Sequence, residues 1–270
     1  QSWTISPDGK VYTFKLRPGV KWHDGKPFTS ADVLFSFKQY LPATFARTKL
    51  IMGQTASIEA PDDLTVVFTL KQPYPAFMYI FEATGGTVMP KHLYEGVTDY
   101  RTTQVNNTIV GTGPFKLGEW RRGAFIKLVK NTEYWDKGKP HLDNLFFHIV
   151  PDAVGRSIAF ESGKVDAIRA GDVENFEIAR LAAAPGVALT KAGWEFLQPI
   201  GFLNMNLRNK PIDDLRFRQA IAHAIDRQFI IKNIFSTFGE PVNGPFPGGY
   251  VFRDTTVETK YPYDPARAKA

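Results

Sequence analysis

The alternation of apolar and polar residues predicts the first elements of this chain. Val11–Leu16 alternates as a half-buried strand does, and Pro7-Asp8-Gly9-Lys10 before it carries hairpin-turn chemistry. His23-Asp24-Gly25-Lys26 repeats that chemistry. Thr29 or Ser30 is placed to cap a helix whose apolar residues Val33, Leu34, Phe37 and Leu41 fall at i, i+1, i+4 and i+8. Ser57–Leu70 reads as a hairpin bending at Pro61-Asp62-Asp63. Pro75–Phe81 reads as a short aromatic helix. The turn Thr84-Gly85-Gly86-Thr87 then leads to a helix start at Pro90-Lys91-His92.

From Gly111 the texture changes. Phe115–Trp120 and Phe125–Val129 pair as strands, and Leu142–Val150 is an apolar run expected to be a buried strand. Ala153–Ser162 is an amphipathic helix closed by Gly163. Val165–Arg169 is read as a strand, Val173–Ala184 as a helix ended by Pro185-Gly186, and Val187–Lys191 as a further strand. That β-α-β-α-β alternation argues for an open α/β layer. Trp194–Leu207 is extended. Asp213 or Asp214 starts a helix with Leu215, Ala220, Ile221, Ala224 and Ile225 on its apolar side, and Gly239–Tyr250 is a Pro/Gly loop. Tyr263–Ala270 opens a helix at Asp264-Pro265 and stops within about one turn, too short to be stable alone. The chain is therefore expected to be a piece of a longer protein, cut at both ends.

Composition narrows the function. The 270 residues are 43% hydrophobic and 22% charged, the balance of a folded globular chain. No run reaches the roughly 18 apolar residues of a membrane span, and no leader-like segment opens the sequence. The net charge of +6 is scattered, with Arg121-Arg122 its densest adjacent pair, so no nucleic-acid stripe is expected. With no cysteine, disulfides and thiolate chemistry are excluded. His23, His92, His141, His148 and His223 show no metal-ligand spacing, so neither a metal nor a cofactor is expected. No GxSxG, Walker A or GxGxxG motif is present. The acid pairs Asp62-Asp63 and Asp213-Asp214 sit at a turn and a helix start, where carboxylates cap. No catalytic residue is assigned.

Several stretches carry a resemblance. SPDGKVYTFKLRPGVKWHDGKPFTSADV, PKHLYE, GTGPFKLGEW, NTEYWDKGKPHLDNLFFHIVPD, SGKVDA, FLNMNLRNKPIDDLRFRQAIAHAIDR, GPFPGGY and YPYDPARAKA run in order along the chain. Together they resemble the extracellular solute-binding protein family 5, the dipeptide-, oligopeptide- and nickel-binding proteins of ABC importers. The resemblance implies an α/β fold of the periplasmic binding protein-like type II class, two-lobed, with an extra subdomain in lobe 1 and members nearly twice this long. Residues 1–109 would be the extra α+β subdomain, 110–199 the lobe 1 core sheet, and 200–270 the crossover and the start of lobe 2. It also implies a periplasmic or surface-anchored monomer that captures a peptide or peptide-like solute and delivers it to ABC permease membrane subunits.

The crossover residues, Arg47 and His92 are ligand candidates from the same resemblance, and a glycine turn is one from its own chemistry. Gly193–Asn206 matches the strand crossing between lobes, so Trp194, Phe196, Gln198, Phe202 and Asn204 are carried over as contacts. Core packing is the alternative for Trp194 and Phe202, and Asn206 reads as a hinge hydrogen-bonder. The turn at Thr84, Gly85 and Thr87 offers backbone N–H groups to an anion or carbonyl, since glycines permit close approach. Its alternative is an ordinary strand-helix turn. Arg47 matches a carboxylate-holding arginine, with a solvated surface arginine as the alternative. His92 matches a pocket-side position. Three alternatives remain open: a carbohydrate hydrolase with an aromatic cleft, suited by 14% aromatics and requiring two facing carboxylates, a structural or interaction module without a solute site, and a binder of opines, sugars or metal chelates.

Overall fold

The computed structural model describes residues 1–81, 85–169, 171–190, 192, 200–242, 244–246, 253–257 and 260–269. The chain divides into two compact units, Gln1–Ile149 and Val150–Ala270.

In the first unit β1 (Ser2–Ile5), β2 (Val11–Lys15), β3 (Thr55–Asp62) and β4 (Thr65–Leu70) form an antiparallel sheet in the order β1-β2-β4-β3. The expected turns form: Ser6 accepts the N–H of Gly9, whose φ of +69° needs a glycine. Strand β3 runs through Asp62, so the second bend falls one residue later than its sequence suggests. Alternation along β4 sends Val66, Phe68 and Leu70 into the core. Against that face packs a helical run: α1 (Ser30–Phe35), a π-helical stretch Ser36–Tyr40, α2 (Leu41–Thr44) and α3 (Ala46–Met52). The aromatic segment Pro75–Phe81 is a 3₁₀ helix, and Lys91–Leu93 another.

Helix α1 starts with a capping box. The Thr29 side chain accepts from the first turn, and Asp32 reaches back to the Thr29 N–H at 3.0 Å. Asp32 is 5% exposed. It also accepts the indole N–H of Trp22 at 3.2 Å and the Lys91 N–H at 2.9 Å. One carboxylate thus joins its own helix start to Trp22, 10 residues before it, and to Lys91, 59 residues after it.

A second sheet of the same unit is a meander of β5 (Phe115–Arg121), β6 (Phe125–Lys130) and β7 (Asn144–His148). Strand β5 bulges at Gly118, where an added Cβ would lie 2.8 Å from Val129. The run Leu142–Val150 corrects its sequence reading: the strand forms, but Leu142, Phe146, Phe147 and Ile149 are exposed. Apolar content reports what a strand can bury, and only a neighbouring layer decides whether it does so.

His23 ties the two sheets of this unit together. Its Nδ1 accepts the Gly111 N–H at 3.1 Å, so Nε2 donates to the Gly113 carbonyl, also at 3.1 Å. Asn131, itself buried, donates to the same carbonyl. Lys21 pairs with Glu133 and Arg17 lies over Trp135 along the same seam. Substituting His23→Phe, which keeps a ring and removes both bonds, should lower stability by about 1–3 kcal/mol. A urea midpoint equal to that of the wild type would show that the clasp contributes nothing.

The second unit is helical where described: α4 (Ala153–Glu161), α5 (Asn175–Ala182), α6 (Leu215–Ala224), α7 (Arg227–Asn233) and α8 (Pro265–Lys269). Helix α4 is capped by Asp152 and closed at Gly163, whose φ is +70°. The expected strands at Val165–Arg169 and at residues 187–190 do not form; Lys191 lies outside the described residues. A parallel strand exists only where a neighbour takes up its N–H and C=O groups, and no strand is present among this unit's described residues. Buried His223 at the end of α6 donates from Nδ1 to the Pro262 carbonyl at 2.8 Å. Its own carbonyl accepts the Asp264 N–H. Asp264 in turn caps α8 by accepting from Arg267, as the Asp-Pro start predicts.

Candidate solute site

In the first unit, the glycine turn is fastened to the helical run by buried hydroxyls. Thr48, on α3 and 1% exposed, donates to the Gly85 carbonyl at 3.0 Å. Ser36 accepts the Met89 N–H at 2.7 Å and donates to the Asp32 carbonyl. Gly86 permits the close approach: an added Cβ would meet the Ile80 carbonyl oxygen at 2.6 Å. Its role is local packing of backbone on backbone. Gly85 is buried and Thr87 exposed; Thr84 lies outside the described residues.

Arg47 is exposed on α3, next in sequence to Thr48. The structure thus brings the helix carrying the candidate arginine against the candidate glycine turn. An open depression of about 420 Å³ borders the same helix, lined by Ala46, Lys49, Leu50, Gly53 and Gln54.

His92 follows the Pro90 start as expected, and its Nε2 lies 2.6 Å from the Asp24 carboxylate. Burial pushes the Asp24 carboxyl up. The hydrogen bonds from His92 and from the Lys26 N–H outweigh it, leaving the group below the usual carboxylate range.

In the second unit, residues 200–206 have no helix or strand. Phe202 is 63% exposed and Asn204 is exposed. Asn206 folds back to accept the Arg208 N–H. Arg218 on α6 donates to the carbonyls of Ile212 and Asp213, fixing where this segment enters the helix. Trp194, Phe196 and Gln198 lie outside the described residues.

One acid of each pair caps, Asp62 at a turn and Asp214 at a helix start. Asp62 accepts from Leu64 N–H and the Thr65 hydroxyl. Asp214 caps α6, and the Arg216 guanidinium beside it holds its carboxyl down to about 2. Among the described residues no group of three His, Cys, Asp or Glu could hold a metal ion, and no helix is long and apolar enough to cross a membrane.

Sequence reading overlooked Asp32, Ser36 and Thr48, which hold the turn. Thr29-x-x-Asp32 is a capping-box pattern, so a local signal for Asp32 was present. Ser36 and Thr48 have no such signal, because their partners lie 53 and 37 residues away.

A family model described as bacterial extracellular solute-binding proteins, family 5 Middle, matches residues 1–270. The chain is 31% identical over 276 residues to the glutathione-binding protein GsiB of Pectobacterium atrosepticum, covering 99% of this chain and 50% of that protein. Among solved structures it is similar to the periplasmic binding protein DppA of Helicobacter pylori in complex with peptide STSA. There the TM-score is 0.78 at 30% identity, covering 99% of this chain and 55% of that one. It is also similar to the binding protein AgaA of A. tumefaciens R10 in complex with agropinic acid, with a TM-score of 0.79 at 31% identity over 99% of this chain and 53% of that one. The chain spans about half the length of the relatives it matches. The fold is the mixed α and β one of type II periplasmic binding proteins.

Proposed function

The chain belongs to the bacterial extracellular solute-binding proteins of family 5, and on that premise we propose that it serves as the solute-capturing part of an ABC import system. The solute is a peptide or peptide-like molecule, held between two lobes outside the cytoplasmic membrane, in the periplasm or at its outer face. It is delivered unchanged to permease subunits by a monomer with no catalytic step and no nucleic-acid partner. The match of the family model over residues 1–270 carries this reading. The names of the glutathione-binding relative and of the peptide complex support the solute class.

In this reading the crossover residues Trp194, Phe196, Gln198, Phe202 and Asn204 line the cleft. Arg47, with the turn at Thr84, Gly85 and Thr87, faces the anionic end of the solute. A guanidinium fork suits a carboxylate, and Thr48 holds the turn beside that helix. His92 stands nearby in sequence but is engaged by Asp24. A solute touching both lobes binds the closed arrangement more tightly and so shifts the population towards it.

Thermal-shift measurement on the full-length protein tests this. Di- and oligopeptides, glutathione, opines, oligosaccharides and nickel chelates are compared. A ligand at a hundred times its Kd stabilises by about 2.7 kcal/mol, a readable rise in Tm. Peptides should give it, and Arg47→Ala should weaken binding of free peptides more than of their C-terminal amides. A rise with sugars alone would remove the peptide assignment, and turnover of any of these compounds would remove the capture reading.

A further inference from the structure

Two histidines of the first unit meet at one turn and place opposite demands on a proton. The turn His23-Asp24-Gly25-Lys26 is closed by the Gly25 N–H donating to the Trp22 carbonyl and the Trp22 N–H donating to the Lys26 carbonyl, each at 2.8 Å. Trp22 is buried and bonded to Asp32, which anchors the turn.

His23 grips the loop Gly111-Thr112-Gly113 that leads into β5. Its N–H donates to the Gly111 carbonyl at 2.8 Å, its Nδ1 accepts the Gly111 N–H, and its Nε2 donates to the Gly113 carbonyl. An imidazole with a second proton is a donor at both nitrogens. Nδ1 would then set an N–H against the Gly111 N–H, and that bond is lost. His92 works the other way. Its Nε2 meets the Asp24 carboxylate at 2.6 Å, and a charge-assisted bond is roughly twice as strong as a neutral one. Burial raises the Asp24 carboxyl, but its bonds from His92 and the Lys26 N–H leave it below the usual carboxylate range.

The other charged groups here are placed as follows. Lys116 lies 3.5 Å from the His23 carbonyl, Lys21 pairs with Glu133, and Arg17 lies over Trp135. On the His92 side, Asp32 takes the Lys91 N–H, and Lys26 reaches Asp24 through its own N–H. Carboxylates, lysines and arginines ordinarily titrate outside the range from about pH 5 to 7.5, which leaves the histidines to change charge within it.

We propose that this turn is a proton-operated coupling inside the first unit. In neutral solution His23 clamps it to the second sheet; on acidification that clamp loosens, while protonated His92 holds the turn more firmly to the segment after the glycine turn. By linkage, the clasp's contribution declines as pH falls below about 6.5, and the His92–Asp24 contribution declines as pH rises above it. The His23 N–H bond to Gly111 and the Asn131 bond to Gly113 carry no titrating group, so the loop loosens without leaving. The coupling rests on these bonds alone and holds for any solute.

Hydrogen exchange on the full-length protein tests it, read from overlapping peptides over residues 109–116 and 86–95 at about pH 5 and 7.5. Comparing variants at one pH cancels the intrinsic exchange rate. H23Q, which keeps a donor and cannot titrate, should lower protection at Gly111, and this difference from wild type should shrink about fivefold or more at the lower pH. H92Q should cost the 86–95 segment about threefold more protection at the lower pH than at the higher. A His23 difference equal at both pH values would overturn the proposal, as would an H92Q effect equal or larger in neutral solution. Far-UV circular dichroism checks that each variant folds. Should H23Q not fold, wild-type protection at Gly111, corrected for intrinsic rate, must still fall on acidification relative to that of the β4 amide of Val66, or the proposal fails.

Discussion

Replacing Phe68 by alanine is expected to lower the stability of the first unit by about 3–5 kcal/mol. Phe68 is 1% exposed on the central strand β4. Its ring meets four others: Phe14 at 5.7 Å, Phe37 at 5.5 Å, Phe77 at 5.4 Å and Phe81 at 5.6 Å. Phe14 lies on the neighbouring strand β2, Phe37 on the π-helical stretch, and the other two on the 3₁₀ segment. Truncation therefore removes buried area, opens a cavity where three elements meet, and breaks edge-to-face pairs worth about 0.5–1.5 kcal/mol each. Phe68→Leu should recover part of the loss. Urea unfolding followed by near-UV circular dichroism reads the change as a lowered midpoint with an unchanged slope. A loss under about 1 kcal/mol would mean that the ring cluster collapses to fill the space, and that Phe68 is not its hub.

Asp32→Ala is expected to cost a similar amount, about 3–5 kcal/mol, by a different route. Little apolar area is lost. The Thr29 N–H, the Lys91 N–H and the Trp22 indole N–H lose their acceptor in a site where water is scarce. Each such orphaned donor carries a penalty of about 1–3 kcal/mol. Asp32→Asn tests the charge and the geometry together. It preserves volume, but its amide NH₂ must replace one of the two accepting oxygens and then faces an N–H. The asparagine variant should therefore still lose about 2 kcal/mol, with hydrogen exchange rising first at Thr29, Lys91 and the start of α1. A D32N protein with wild-type exchange at Lys91 would sink this account.

The glycine turn depends on the same centre. Asp32 anchors α1, its backbone carbonyl takes the Ser36 hydroxyl, and Ser36 receives Met89. Lys91, two residues on, bonds Asp32 directly. A loss at Asp32 therefore loosens the segment after Gly85–Gly86 as well as the helix. Solute binding measured on D32N separates a platform held by this network from one that stands alone.

Many of the elements were legible before any coordinates. The period-2 pattern marks β2 and β4 because a strand in this sheet shows one face to the core. Thr29 and Asp214 mark helix starts because free N–H groups there need an acceptor within three residues. Gly163 marks a helix end because its backbone takes a conformation that side chains resist. The family and its fold were likewise legible in the order of the motifs. The candidate site was readable only as a set of positions. That Arg47 and the glycine turn share a platform follows from Thr48 bonding Gly85, and no local pattern announces that bond.

The sequence alone decided which segments could be strands or helices, where they cap and turn, and which family they belong to. The first two depend on residues a few places apart, and the family on the order of short motifs along the chain. Tertiary structure alone decided what Asp32, His23 and Thr48 do, since their partners Lys91, Gly113 and Gly85 lie 59, 90 and 37 residues away. It also decided that Leu142–Val150 is an exposed strand and that Val165–Arg169 is none. An apolar run specifies a capacity for burial and pairing, and only the elements beside it in space determine whether that capacity is used.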